Sequence, residues 1–380
     1  MASFRLAEIN GQPGALFLDR EERVVLVISV DIADDLVQTV RALSNPEKLR
    51  SPAARHQLVS RRESQGAEGA VTKALPVKDG FVAFAGYRTW YRLVGEGEED
   101  GKLPLLCLHG GPGATWHHME PYEALAEGRR VIFYDQLGCG NSAVTERHET
   151  SMWTPELYVE EVQAVRGALG LERVHVFGHS WGGMLGMLYA IGQPAGLASL
   201  IVESSPANVP EWMKEVNRLR GELPPEVQAT LLEHEEAGTT DSPEYEEAMM
   251  VFYRRHVCRT DPWPDFVNRT FEGLLANPEV YYTMNGPSEF HVIGPLKDFD
   301  ISGDLDRIRV PTLLFCGRYD EVTPVTMERV HEGIPGSELV VFEESSHMSQ
   351  GEEPEKVLGL VRRFLTRVEA GRVRGSSRSG

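Results

Sequence analysis

Three residues that together could split an acyl bond stand in the order Ser180, Asp320, His347, each just past an apolar run. "GHSWGG", residues 178–183, crowds a serine with glycines. The run "RVHVFGHS" before it reads as a short buried strand, and "MLGMLYAIG" after it reads as a helix. A strand-to-helix turn around Gly178-x-Ser180-x-Gly182 is tight, so its neighbours must be small. Such a turn presents the serine hydroxyl to substrate as a nucleophile. The serine needs a base to take its proton, and the base needs an acid to orient it. "VVFEESSHMS" supplies His347 and "FCGRYDEVTP" supplies Asp320. Glu321 and Glu203 are rival acids, Glu203 because it ends another strand.

Acyl transfer also needs donors for the charge that grows on the carbonyl oxygen. "LCLHGGPG" places His109-Gly110-Gly111-Pro112-Gly113 after a buried strand. The backbone N–H groups of Gly111 and Trp181 are the expected oxyanion hole. "YDQLGCGNS", residues 134–142, reads as scaffold, with Asp135 hydrogen-bonded to backbone rather than catalytic.

Elements that could hold these residues are visible along the chain. "FVAFAG" and "RTWYRLVG" suit an opening hairpin. "LPLLCLHG", "RRVIFYDQ", "RVHVFGHS", "ASLIVESS", "VPTLLFCG" and "SELVVFEE" are buried runs, with helices between the later ones. That alternation predicts an α/β fold, a mostly parallel sheet with helices on both faces. In such sheets ligands bind beyond the carboxyl ends of the strands, where the serine, acid and histidine fall. Residues 206–308 are too long for a loop and carry helical periodicity, so they read as an inserted helical cap. The core is then 76–205 and 309–368. Residues 1–50 hold four β-type runs, 51–75 read as a linker, and 369–380 as a disordered tail.

Composition narrows the class. Of 380 residues, 38 are Lys or Arg and 57 are Asp or Glu, a net charge of −19. That balance disfavours nucleic acid and anionic membrane as partners. The longest clear apolar run near the start, "VVLVISV", is far too short to span a bilayer, and no signal peptide is evident, so a cytoplasmic location is expected. Cys107, Cys139, Cys258 and Cys316 lack metal-like spacing. Cys107 and Cys316, inside strand-like runs, are expected to be buried thiols. No metal or cofactor is expected, and the oligomeric state is not legible.

Taken in order, "HGGPG", "DQLGCGNS", "GHSWGG", "GRYDEVTP" and "SSHMS" resemble the proline iminopeptidase (prolyl aminopeptidase) family of α/β-hydrolases. Cap stretches "EVNRL" at 215–219, "SPEYEEAM" at 242–249 and "MNGPSEF" at 284–290 extend the resemblance, which covers about 76–368. It implies a serine hydrolase that releases N-terminal residues, preferably proline, through an acyl-enzyme. Acidic cap residues in that family grip the substrate's free α-amine. By position the role falls on Glu215 and Glu247, with Glu289 a third candidate. The implied substrates are short peptides or aminoacyl amides with a free N-terminus. An amino-acid amidase or esterase on the same fold is the alternative. Separately, residues 1–50 resemble the closing strands of the SnoaL-like domain found at the end of some extracytoplasmic-function sigma factors. The DNA-binding regions have no counterpart, so no transcription role carries over. A non-catalytic regulatory protein using those strands is a third reading.

Overall fold

A computed structural model describes the backbone of residues 3–9, 12–18, 24–33, 36–43, 75–99, 101–145 and 147–376, with side chains from 75 to 371. The expected linker lies mostly outside the described residues. The chain divides into two units, Met1–Lys73 and Ala74–Gly380.

In the first unit β1 (Ser3–Ile9), β2 (Gln12–Leu18), β3 (Val24–Ala33) and β4 (Leu36–Leu43) form an antiparallel sheet in chain order. These strands match the four runs read from sequence.

The second unit is built on eight strands in the spatial order β12-β11-β10-β9-β7-β8-β6-β5. They are β5 (Val77–Phe84), β6 (Tyr87–Val94), β7 (Leu105–Leu108), β8 (Val131–Tyr134), β9 (Val174–His179), β10 (Leu197–Glu203), β11 (Thr312–Gly317) and β12 (Glu338–Phe342). The hairpin β5–β6 and the β6–β8 pair are antiparallel, and the rest run parallel. Side chains alternate between two cores, as strand geometry requires. Leu106, Leu108, Val176, Val202 and Leu314 join one cluster; Leu105, Cys107, Phe177, Ile201 and Phe315 join the other. A sheet covered on both faces therefore reads in sequence as unbroken apolar runs.

Helices α1 (Pro155–Ala168), α2 (Trp181–Ile191), α3 (Val209–Arg220), α4 (Pro225–Ala237), α5 (Pro243–His256), α6 (Asp265–Ala276), α7 (Glu279–Met284), α8 (Pro324–Gly333), α9 (Ser349–Glu352) and α10 (Pro354–Ser376) complete the unit. Helices α3 to α7, the cap segment, lie between β10 and β11, within residues 206–308. Asn208 and Ser242 cap α3 and α5, accepting from the N–H groups of Glu211 and Tyr245 at 2.8 and 3.2 Å.

One expectation is corrected at the end of the chain. Residues 369–376 are helical rather than disordered, because Glu369 anchors the last turns of α10. Its carboxylate is buried against Arg129 at 2.7 Å and accepts from the Leu103 N–H at 2.9 Å. Residues 377–380 lie outside the described residues.

All four cysteines are buried, Cys107 and Cys316 within strands as expected. Burial pushes each thiol up and so disfavours the reactive thiolate. Among the described residues no helix is long and apolar enough to cross a membrane.

Candidate active site

Strand β7 pairs with β9 on one side and β8 on the other, so the chain changes direction at β7. A crevice opens beyond the carboxyl ends at such a switch point. The turns after β7 and β9 fill it. A Cβ on Gly110 would come within 3.1 Å of the Ser180 Cβ, so the glycine loop and the serine turn are neighbours.

Ser180 sits at φ 56°, ψ −126°, a conformation that few residues other than glycine adopt. The surroundings enforce it. Strand β9 and helix α2 approach so closely that a Cβ on Gly178 would fall on the Gly182 carbonyl. One on Gly182 would fall on the Leu108 carbonyl. Gly182→Ala is therefore expected to displace α2 from β7 and to cost several kcal/mol. Chemical denaturation of the purified variant measures it; a midpoint within error of wild type would contradict this account of the turn.

Gln136 ties the loops together. Its backbone N–H donates to His109 Nε2 at 2.9 Å, its side-chain amide donates to the His109 carbonyl at 2.9 Å, and its Oε1 accepts from Trp181 Nε1 at 2.8 Å. Asp135 accepts from the N–H groups of Trp116 and Asn141 at 3.0 and 2.8 Å, the scaffold role expected of it. The Gly110 N–H is taken by His118 at 3.2 Å, which leaves Gly111 as the next donor of the loop. Trp181 opens α2, where an N–H has no partner within its helix.

Asp320 and His347 come together at the ends of β11 and β12. His347 Nδ1 lies 2.8 Å from Asp320 Oδ1, which also accepts from the Val322 N–H at 2.8 Å. Glu203 is engaged elsewhere: Tyr122 and Ser349 donate to it at 2.6 and 2.5 Å. The cap holds the loops that carry Asp320 and His347. The backbone carbonyl of His256 accepts from the N–H groups of Glu321 and His347 at 3.3 and 3.2 Å, and the Val257 carbonyl accepts from Met348 at 3.0 Å. Trp212 of α3 donates to the Glu321 carbonyl at 3.0 Å.

One pocket gathers Gly110, Gly111, Ser180 and His347 with two acids, Glu289 and Glu321. Phe271, Leu274, Val257 and Met348 supply apolar walls, and no Lys or Arg lines it. No lysine or arginine pairs with either acid in the pocket, where the one group able to carry positive charge is His347. Glu289 accepts from the Tyr281 hydroxyl at 2.7 Å; Glu321 Oε2 is buried without a hydrogen-bond partner. Burial raises both carboxyl pKa values, and in Glu321 the charge of Glu289 raises it further. Burial alone would lower His347. Asp320, Glu321 and Glu289 outweigh it and hold that imidazole at about 10.

Two expectations about the cap are corrected here. Glu247 is exposed on α5, because Tyr245, Ala248 and Phe252 form the buried stripe of that helix and Glu247 falls on the opposite side. Glu215 lies outside the pocket. Its Oε2 accepts from Arg218 and Thr323 at 3.2 and 3.4 Å, fastening α3 to the turn after β11. The two do not converge over the serine. Glu289 does reach the pocket, and Glu321 joins it there.

Residues 104–354 match the family model of the α/β hydrolase fold. A proline iminopeptidase of Heyndrickxia coagulans is 40% identical over 290 residues, 76% of this chain and 99% of the relative. The chain belongs to the proline iminopeptidase family of α/β hydrolases. The solved proline iminopeptidase of Mycobacterium smegmatis is 42% identical with a TM-score of 0.72, covering 77% of this chain and 99% of its own. VinJ is similar at 44% and 0.73, with the same coverage of each chain. What sequence reasoning missed in this proline iminopeptidase homologue is the placement of Glu321 in the pocket. The signal was present as two adjacent acids, Asp320 and Glu321, where a triad uses one.

Proposed function

We propose that this chain is a serine hydrolase that releases N-terminal residues, preferably proline, from short peptides through an acyl-enzyme. The observation that carries this reading is a pair of acids, half-buried Glu289 and fully buried Glu321, that line one pocket with Ser180 and His347 and with no lysine or arginine. Asp320, Glu321 and Glu289 share a single imidazole, so the site holds more acid than base, and an arriving ammonium offsets the excess. A substrate whose first residue places its ammonium between them brings its carbonyl to Ser180. His347 takes the serine proton as Oγ attacks and gives it to the leaving amine; water then releases the acyl group by the same route. The N–H groups of Gly111 and Trp181 carry the oxyanion. Asp320 holds the imidazole. The apolar walls suit a small ring such as the pyrrolidine of proline, in keeping with the names of the relatives.

The reading requires a free amine. L-Prolyl anilide should be hydrolysed and its N-acetyl derivative left intact; equal turnover of both would defeat the proposal in favour of a simple amidase. A hydrogen bond to a charged group is worth about 1.5–3 kcal/mol. Glu289→Gln is accordingly expected to lower kcat/KM for prolyl anilide by roughly ten- to a hundredfold, at about 1.4 kcal/mol per decade. The ratio of prolyl anilide to amine-free ester activity should fall with it. A constant ratio would make Glu289 structural.

A further inference from the structure

The Glu321 carboxylate faces the catalytic nitrogen as well as the pocket. Its Oε1 lies 3.8 Å from His347 Nε2, the atom that must accept the serine proton. Nδ1 on the other side of the ring is committed to Asp320 at 2.8 Å. An imidazole between two acids is best stabilised as imidazolium, and an imidazolium cannot act as a base. Both acids are almost wholly inaccessible, at 1% exposure each, so solvent does little to screen them. The other ionisable neighbours do not supply a compensating cation. Glu289 from the cap and Glu203 from β10 are acids that also favour the charged ring. His179 at the end of β9 and His118 after β7 are held neutral by burial first and by the neighbouring histidines second. His256 of α5, lowered by burial, turns its Nδ1 to the Tyr319 carbonyl at 2.8 Å.

We propose that Glu321 couples amine recognition to base activation: in the free enzyme its carboxylate keeps the proton on His347 Nε2, and a seated substrate ammonium engages that carboxylate and frees the imidazole to act. This rests on the reading that Glu289 and Glu321 bind the amine. The proton that leaves Nε2 passes to solvent, and no other bond changes. A ligand without a cationic amine enters the same pocket but meets a base already occupied. Selection then operates on turnover as well as on binding, and Glu321 is a positioning and specificity-determining residue. It acts through His347.

The test compares pH limbs in the full-length protein. The limb of kcat/KM for phenyl acetate, which has no amine, reports His347 in the free enzyme. The limb of kcat for L-prolyl p-nitroanilide reports it in the loaded enzyme. In wild type the loaded limb is expected at least about one pH unit below the free one, since a charge at this range moves a pKa by about 1–3. In Glu321→Gln the free-enzyme limb should drop by a similar amount. Its kcat/KM for phenyl acetate at pH 7 should rise about tenfold, while that for the prolyl substrate falls. Coincident limbs in wild type overturn the coupling, and that comparison needs no variant to fold. A Gln variant whose phenyl acetate activity, per titrated active site, is unchanged or lower overturns it too. Either result leaves amine binding standing if the prolyl substrate alone has lost kcat/KM; a Gln variant with undiminished prolyl activity removes the amine reading itself.

Discussion

Replacing Ser180 with alanine is expected to lower kcat for prolyl anilide by about a millionfold, the scale seen when a nucleophile acting as part of a unit is removed. The fold should survive. Alanine keeps the Cβ and loses only Oγ, so the φ of 56° costs the same in both proteins. The turn is imposed from outside by the contact of Gly178 with Gly182 and of Gly182 with Leu108, which the substitution does not touch. Melting temperature should stay within a few degrees of wild type while turnover vanishes. Retained turnover in a folded variant would exclude Ser180 as the nucleophile. Labelling by a fluorophosphonate offers a second check, because wild type should take one equivalent at Ser180 and the variant none.

The second large effect concerns Asp320. Its carboxylate lies 2.8 Å from His347 Nδ1, and in the proposed mechanism it fixes the Nδ1–H tautomer and supports the imidazolium that forms during attack. In Asp320→Asn the amide can present an N–H to Nδ1, which places the remaining ring proton on Nε2, the wrong side for a base. Turnover at neutral pH is expected to fall by about ten-thousandfold, with KM changed far less. Loss of the charge also removes one of the influences that raise the His347 pKa, so the limb of the residual activity should move to lower pH. Glu203→Gln is the control. Glu203 binds Tyr122 and Ser349, so a large loss of turnover there with little loss in Asp320→Asn would reverse the assignment of the acid.

These expectations rest on residues of different legibility. The sheet could be read from the sequence because burial on both faces makes each strand a local apolar run. Val174–Phe177 and Leu313–Cys316 declare themselves without reference to anything distant. The serine turn was equally local, since its glycines answer a steric demand made by the residues beside them. Asp320 and His347 followed from chain order and from their places just past strands.

The cap was legible as helices but not in how its helices face the site. A glutamate on an amphipathic helix reaches the pocket only if the helix is rotated and docked to aim it there, and docking depends on contacts far along the chain. Glu247 is turned out by Tyr245, Ala248 and Phe252, a stripe that helical spacing alone could have exposed. Glu215 is drawn aside by Thr323, 108 residues away, which no local pattern announces. Tertiary structure also decided the fate of the Asp320-Glu321 pair. The turn after β11 places one carboxylate on His347 Nδ1 and the other near Nε2, held by the carbonyl of His256 and the indole of Trp212 from the cap. Local sequence supplied the chemistry of the serine, the acid and the histidine. The long-range packing of cap against sheet decided which carboxylates line the pocket, because it alone fixes where remote segments turn their side chains.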